Sequence, residues 1–289
     1  MSNFNRDAIK DLKHSIVAIG LANSKLEIVT ILGTGFFIDP KGILITAKHV
    51  FDDCKTTQKY YSRVEKIETN IAAFRPITTQ TTLDFDKGLI KNIKSIKFSF
   101  KNKIFPLFSI DLAYGLLATP FPDLNPLSIE PPTKLETMNQ IGMCGFPAGR
   151  HSLDTKGEHM GLRFSSTFQL GRIGSLLPFD DAPNPYGVQT DIIGVGGSSG
   201  SPLVDPATGS VLGLAQKVLP ANVETEGIID FKTKKKLKSF GSATIGQVYG
   251  ISNHVLFPAT KSIKEFYING KSVDIKIDVT GLDFGSKVL

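Results

Sequence analysis

Cysteine is scarce in this chain: there are two among 289 residues, Cys54 and Cys144. That excludes a framework of several disulfides, and the expected state is a pair of reduced thiols, as in a cytosolic protein. Long apolar runs are also missing. No stretch approaches the roughly 18 consecutive apolar residues of a membrane-spanning helix, so a membrane is not an expected partner. The opening Met1-Ser2-Asn3-Phe4-Asn5-Arg6-Asp7 lacks the basic start and apolar core of a secretory signal, so a cytoplasmic location is expected. No Cys/His cluster stands at metal-ligand spacing, and no Gly-rich loop sits between a strand and a helix. Neither a metal nor another cofactor is therefore expected. The net charge of +6 is too small to argue for nucleic acid as a partner.

What is present is the profile of a globular protein, 41% apolar and 21% charged. Twenty-seven Gly and sixteen Pro, with no long helical pattern in the middle, point to short strands and many turns. Residues 6–14 read as an opening helix. Strands follow at Ser15–Gly20, Lys25–Leu32, Gly33–Asp39 and Gly42–Val50, the last two joined by a turn at Pro40-Lys41-Gly42. Ile96, Phe98 and Phe100 alternate with Lys97, Ser99 and Lys101, the pattern of a half-buried strand. A Pro-rich passage from Pro120 to Pro132 reads as a linker. A second run of strands covers Met138–Phe146, Ser165–Leu177, Gly187–Ile193, Ser201–Asp205, Gly209–Val218 and Ile245–Ser252. Helical spacing returns between Ala259 and Tyr267. Two packed β-domains with short flanking helices is the economical architecture.

The strongest local signal is Gly196-Gly197-Ser198-Ser199-Gly200-Ser201-Pro202-Leu203. A serine hydroxyl attacks only when a base takes its proton, and the oxyanion formed needs donors already aimed at it. A glycine two residues before the serine lets the backbone turn so that two N–H groups converge. This frame makes Ser199 the nucleophile and the amides of Gly197 and Ser199 the oxyanion hole. A rival frame, Gly196-x-Ser198-x-Gly200, matches the nucleophile elbow of α/β-hydrolases and would select Ser198. It requires a helix immediately after the serine, which Pro202, Pro206 and Ala207-Thr208-Gly209 oppose.

Of the five histidines, His14, His49, His151, His159 and His254, only His49 closes an apolar strand and begins another segment. It is the expected general base. The acid that fixes its tautomer is sought among Asp52, Asp53, Asp84, Asp86 and Asp111. Asp111 is selected because Phe108-Ser109-Ile110-Asp111-Leu112-Ala113 is an apolar setting in which a carboxylate needs a partner. The others read as solvated. The resulting order is His, Asp, Ser.

At this point the chain resembles the chymotrypsin-fold, trypsin-like serine peptidases, and within them the bacterial HtrA/Deg proteases. The resemblance rests on Gly33 to His49, on Asp111-Leu112-Ala113, and on Gln189 to Leu203 around Ser199. Weaker echoes lie at Gly145–Gly149, Gly171–Ser175, Gly209–Leu214 and Val248–Ser252. It implies an all-β fold of two six-stranded antiparallel Greek-key barrels with short terminal helices. The expected divisions are an N-terminal arm (1–14), a first barrel carrying His49 and Asp111 (15–125), a second carrying Ser199 (126–267), and a C-terminal tail (268–289). No PDZ domain fits in that tail. Residues 51–108 exceed a minimal barrel, so an insertion is expected there. No Ile-Val-Gly-Gly-like activation site is present.

The resemblance further implies that Ile193, six before the nucleophile, lies at the bottom of the specificity pocket, which disfavours Lys or Arg at the cleaved position. Leu214, Ala215, Gln216, Lys217 and Val218 would pair with the substrate backbone, and Ala215 disfavours acidic cleavage sites. Cleavage after small or medium aliphatic residues of a polypeptide is expected, with activity latent until a loop rearranges or an activating protein binds. Asp191 is expected to be structural, His254 likewise. The Lys232–Lys238 run reads as a solvated loop tip or as a flank of the cleft. The competing function is a protein-binding module on the same fold, which has no need of all three triad residues.

Overall fold

The computed structural model describes residues 6–78, 83–99, 110–132, 134–147, 151–153, 160–162, 166–178, 180, 182, 184–220, 246–269 and 276–278. Helix α1 (Arg6–Ser15) buries Ile9 and Leu12 and delivers the chain into β1 (Ile16–Ala22), in which every residue is buried. β2 (Ile28–Asp39) is one twelve-residue strand where two shorter ones were expected. Antiparallel pairing with β1 from Ile28 to Phe36, with two bulges to absorb the twist, carries it through the expected break. The predicted turn follows, with Gly42 N–H donating to the Asp39 carbonyl at 3.1 Å. All four residues of β3 (Ile43–Thr46) are buried, which accounts for its unbroken apolar character.

The chain then turns into α2 (Lys48–Tyr60), which places His49 in the first turn of a helix rather than at the end of a longer strand. A π-helical turn (Tyr61–Glu65) ends at Lys66 in left-handed geometry. β4 (Asn70–Thr78), β5 (Leu83–Ser95) and, after a short β6 (Lys97–Ser99), β7 (Ala113–Leu117) close a barrel in the order β1-β2-β3-β7-β5-β4. Much of the stretch expected to be an insertion is thus barrel wall, and the additional length includes α2 and the π turn. Charge hid these strands. Arg75 on β4 and Asp86 on β5 form an ion pair, Nε to Oδ2 at 2.8 Å, with Arg75 only 6% exposed. Asp86 is therefore a half-buried partner rather than a solvated acid.

The described residues between 118 and 139 cross between the barrels without a strand, as the prolines predicted. β8 (Gln140–Gly145) opens the second barrel, and a small hairpin of β9 (His151–Leu153) and β10 (Met160–Leu162) comes next. β11 (Thr167–Leu177), β12 (Gly187–Gly194), β13 (Pro202–Val204), β14 (Val211–Pro220) and β15 (Gly246–Ser252) complete a closed barrel ordered β11-β12-β15-β14-β13-β8. Its strands fall where the sequence placed them. Helix α3 (Asn253–Asn269) starts six residues before the predicted stretch, with Pro258 inside its first turns. In the stretch expected as a tail, β16 (Lys276–Asp278) pairs in parallel with β6.

The architecture is the two-barrel all-β fold of the chymotrypsin type, with three short α-helices among the described residues. One core cluster spans the seam: Phe36, Phe37 and Val50 from the first barrel join Cys144, Phe146, Leu214 and Ile251 from the second, with Val255 and Ile263 of α3. Among the described residues, no helix is long and apolar enough to cross a membrane. Cys54 and Cys144 are both free and buried, and burial pushes each thiol up to about 12.

Candidate active site

His49 and Asp111 are joined in the first barrel, and Ser199 meets that barrel through the Thr34 N–H. α2 presents His49, and Asp111 precedes β7, which pairs with β3 at Thr46↔Ala113. The acid meets the base twice. Asp111 Oδ1 accepts the His49 backbone N–H at 3.0 Å, and Oδ2 lies 2.5 Å from the ring Nδ1. The Lys48 N–H also donates to the Asp111 carbonyl at 3.4 Å. With Nδ1 held by the carboxylate, the acceptor lone pair is directed to Nε2, the tautomer a general base requires. Burial opposes the Asp111 charge. The ring hydrogen bond and charge of His49, its backbone N–H and the nearby Lys217 outweigh that and hold the carboxyl below its ordinary value.

Ser199 lies in the loop between β12 and β13. Its hydroxyl donates to the Gln216 carbonyl on β14 at 3.2 Å, a long O–H···O bond that exchanges readily. The loop's N–H groups divide into two sets. Ser198 donates to Val195 O at 3.0 Å, Gly200 to Ala215 O at 2.7 Å and Ser201 to Ser198 O at 3.1 Å. Those of Gly197 and Ser199 have no acceptor among the described residues. They are the two amides the sequence assigned to the oxyanion hole, and Gly197 adopts a φ of +94° that favours glycine. Ser198, the rival nucleophile, is buried at 1% exposure and accepts the Val195 N–H at 3.3 Å. Its hydroxyl braces the turn from within, and no helix follows it.

Two residues not singled out from the sequence organise this loop. Thr34, on β2, donates its N–H to Ser199 O at 2.8 Å and its Oγ1–H to Gly197 O at 2.8 Å. Thr46, which closes β3 three residues before His49, donates to Thr34 O at 2.6 Å. Their signal was a hydroxyl between two glycines, Gly33-Thr34-Gly35, and another ending an apolar strand. The approach is tight at Gly200, whose φ is +84°: a Cβ there would lie 2.0 Å from Thr34 O and 2.2 Å from Thr46 Oγ1. Gly200→Ala is expected to cost about 3 kcal/mol or more of stability, read as a lower denaturant midpoint.

The predicted substrate residues divide. Leu214, Ala215 and Gln216 are buried, whereas Lys217 is exposed beside the Asp111 carboxylate. Ile193 is not the closed floor of a pocket in the described residues, because it is 58% exposed. Strand alternation turns Ile192 and Gly194 inward and leaves Ile193 outward with Asp191. The constriction lies one residue on. A Cβ at Gly194 would be 2.7 Å from both Val218 Cγ2 and Val248 Cγ2. Asp191 accepts the Arg172 N–H at 2.6 Å, which suits its structural reading.

His254 sits half-buried in the first turn of α3 and His14 near the end of α1. His159 and the Lys232–Lys238 run lie outside the described residues. Asp52 pairs with Lys48 on the face of α2. No group of three or more His, Cys, Asp or Glu able to hold a metal occurs among the described residues.

The fold recurs in solved structures. The HtrA-type protease AlgW with tripeptide is 15% identical with a TM-score of 0.52, over 94% of this chain and 65% of that one. The serine endoprotease from Yersinia pestis is 18% identical with a TM-score of 0.48, over 94% of this chain and 68% of that one. The chain thus spans slightly less than two thirds of the AlgW chain. No curated protein matches by sequence. The family model described as trypsin-like peptidase domain matches residues 33–214, well over half of the sequence and including His49, Asp111 and Ser199. The chain belongs to the trypsin-like peptidase domain family.

Proposed function

We propose that this protein is a serine endopeptidase that cleaves polypeptides through an acyl-enzyme, with His49, Asp111 and Ser199 as its triad. The observation that carries this reading is the double hydrogen bond of His49 to Asp111, which orients the ring and leaves Nε2 without a partner among the described residues.

In the proposed reaction Ser199 Oγ turns from the Gln216 carbonyl to another staggered rotamer and attacks the peptide carbonyl carbon. Its proton passes to His49 Nε2, while Nδ1–H stays on Asp111 Oδ2. The carbonyl oxygen becomes an oxyanion that accepts the Gly197 and Ser199 N–H groups. Collapse of the tetrahedral intermediate breaks the C–N bond, and the leaving amine takes the proton from Nε2. Water then gives a proton to His49, attacks the ester and releases the acid, and Ser199 recovers its hydrogen. The Ser199–Gln216 contact is a resting state, and substrate pairing along Gln216–Val218 is the event that displaces it.

Specificity in this reading is set by Val218 and Val248, which close the space beside Gly194 and favour small or medium aliphatic side chains at the cleaved position. A methylene in such a pocket discriminates by about 10- to 200-fold. Val218→Gly is expected to admit aromatic residues with a gain in kcat/KM of that order. The test is digestion of an unstructured peptide library with product sequencing by mass spectrometry. Cleavage after Ala, Val, Ile or Leu supports the reading. A profile led by Arg, Lys or Glu overturns the specificity, and intact peptides under all conditions overturn the activity.

A further inference from the structure

We infer that Thr34 is a positioning residue for the oxyanion hole, acting through its hydroxyl on the Gly197 carbonyl; this rests on the peptidase reading above. Thr34 is completely buried at the seam, and each of its polar groups is used. Its N–H holds Ser199 O at 2.8 Å, and its carbonyl accepts the Thr46 hydroxyl at 2.6 Å. Its Oγ1 accepts the Phe146 N–H at 3.0 Å and donates to Gly197 O at 2.8 Å. Because Phe146 occupies the oxygen as a donor, the one hydroxyl proton is directed to Gly197.

That carbonyl lies between the two N–H groups that must converge on one oxygen. On its N-terminal side no side chain packs against the backbone: a Cβ at Gly196 would have nothing within 4 Å, and the permissive Gly196-Gly197 pair is spanned by the Ser198 N–H bond to Val195 O at 3.0 Å. Packing therefore cannot fix the peptide carrying the Gly197 N–H. Hydrogen bonds supply the restraint: Val195 O holds the N–H edge of the Gly197–Ser198 peptide, and Thr34, from the other barrel, holds its carbonyl edge and so fixes the plane. The same residue binds Thr46, three positions before His49. One threonine of the first barrel thus sets the donor geometry of the second and ties it to the strand that delivers the base.

Thr34→Val keeps the volume and the backbone bond to Ser199 but removes the hydroxyl's bonds to Gly197 O and to the Phe146 N–H. The measurement is the second-order rate of fluorophosphonate labelling at Ser199 against pH, for the native chain, Thr34→Val, Thr34→Ala and Thr34→Ser, with thermal unfolding of each. Labelling by Thr34→Val and Thr34→Ala is expected to fall by about 10- to 100-fold, less than the loss from removing an oxyanion donor itself. The midpoint of the pH dependence stays at the native position, because the His49–Asp111 pair is untouched. Thr34→Ser restores the rate to within about threefold of native, which a role in packing the methyl group would not allow.

A folded Thr34→Val or Thr34→Ala protein that labels at the native rate overturns the inference. So does a Thr34→Ser protein as slow as Thr34→Ala, or a pH midpoint that moves. If Thr34→Val does not fold, the contrast between Thr34→Ser and Thr34→Ala decides alone. A native chain that does not label at all overturns the peptidase reading and this inference with it, which distinguishes the two failures.

Discussion

Ser199→Ala is expected to lower peptide turnover by about 10⁶-fold, and His49→Ala by a similar factor, since nucleophile and base act as one unit. The double variant should be hardly worse than either single one. That non-additivity separates a working dyad from two independent contributions, and it is measured from kcat/KM on a peptide found in the library digest. Ser198→Ala bears on the rival frame. It removes the internal brace from Ser198 Oγ to the Val195 N–H, so a loss of several-fold is expected rather than extinction. Extinction by Ser198→Ala with survival of Ser199→Ala would reverse the assignment.

Asp111→Asn is expected to lower kcat by about 10⁴-fold while leaving KM nearly unchanged, because an amide in that place favours the wrong imidazole tautomer. The same substitution has a second signature, in stability against pH. Burial would raise the Asp111 pKa, but the contacts of His49 and the charge of Lys217 reverse that and depress it. A carboxyl with a depressed native pKa contributes stability above its unfolded value, and that contribution is lost as pH falls through the native one. Acidification below the ordinary carboxylate range is thus expected to weaken the native chain, and Asp111→Asn to flatten that part of the profile. Chemical denaturation at a series of pH values measures both. A variant whose stability falls with acid as steeply as the native chain would remove Asp111 from the account.

The second barrel was legible because its strands are apolar runs cut by glycine and proline. The first was legible only in part. β4 and β5 carry Arg75, Asp84, Asp86, Lys87, Lys91 and Lys94, so alternation was masked by charge, and the burial of Arg75 depends on a partner eleven residues away. The chemistry-bearing residues could be read because each must be one particular type at one kind of place: a histidine after a buried strand, a carboxylate in an apolar segment, a serine framed by glycines. What positions them could not be read. Thr34 acts across the seam on groups more than a hundred residues distant, Thr46 supports it from twelve residues away, and no local pattern records those contacts. Ile193 shows the opposite case. Counting back from the nucleophile gave the residue, while its exposure follows from the strand alternation that turns Gly194 inward beside Val218 and Val248.

Whether Ser199 is a nucleophile activated by His49 is decided by fluorophosphonate labelling followed by peptide mapping. One adduct is expected, on Ser199, in the native chain and in Ser198→Ala, and none in His49→Ala. An adduct on Ser198, or labelling of Ser199 that persists without His49, would contradict it.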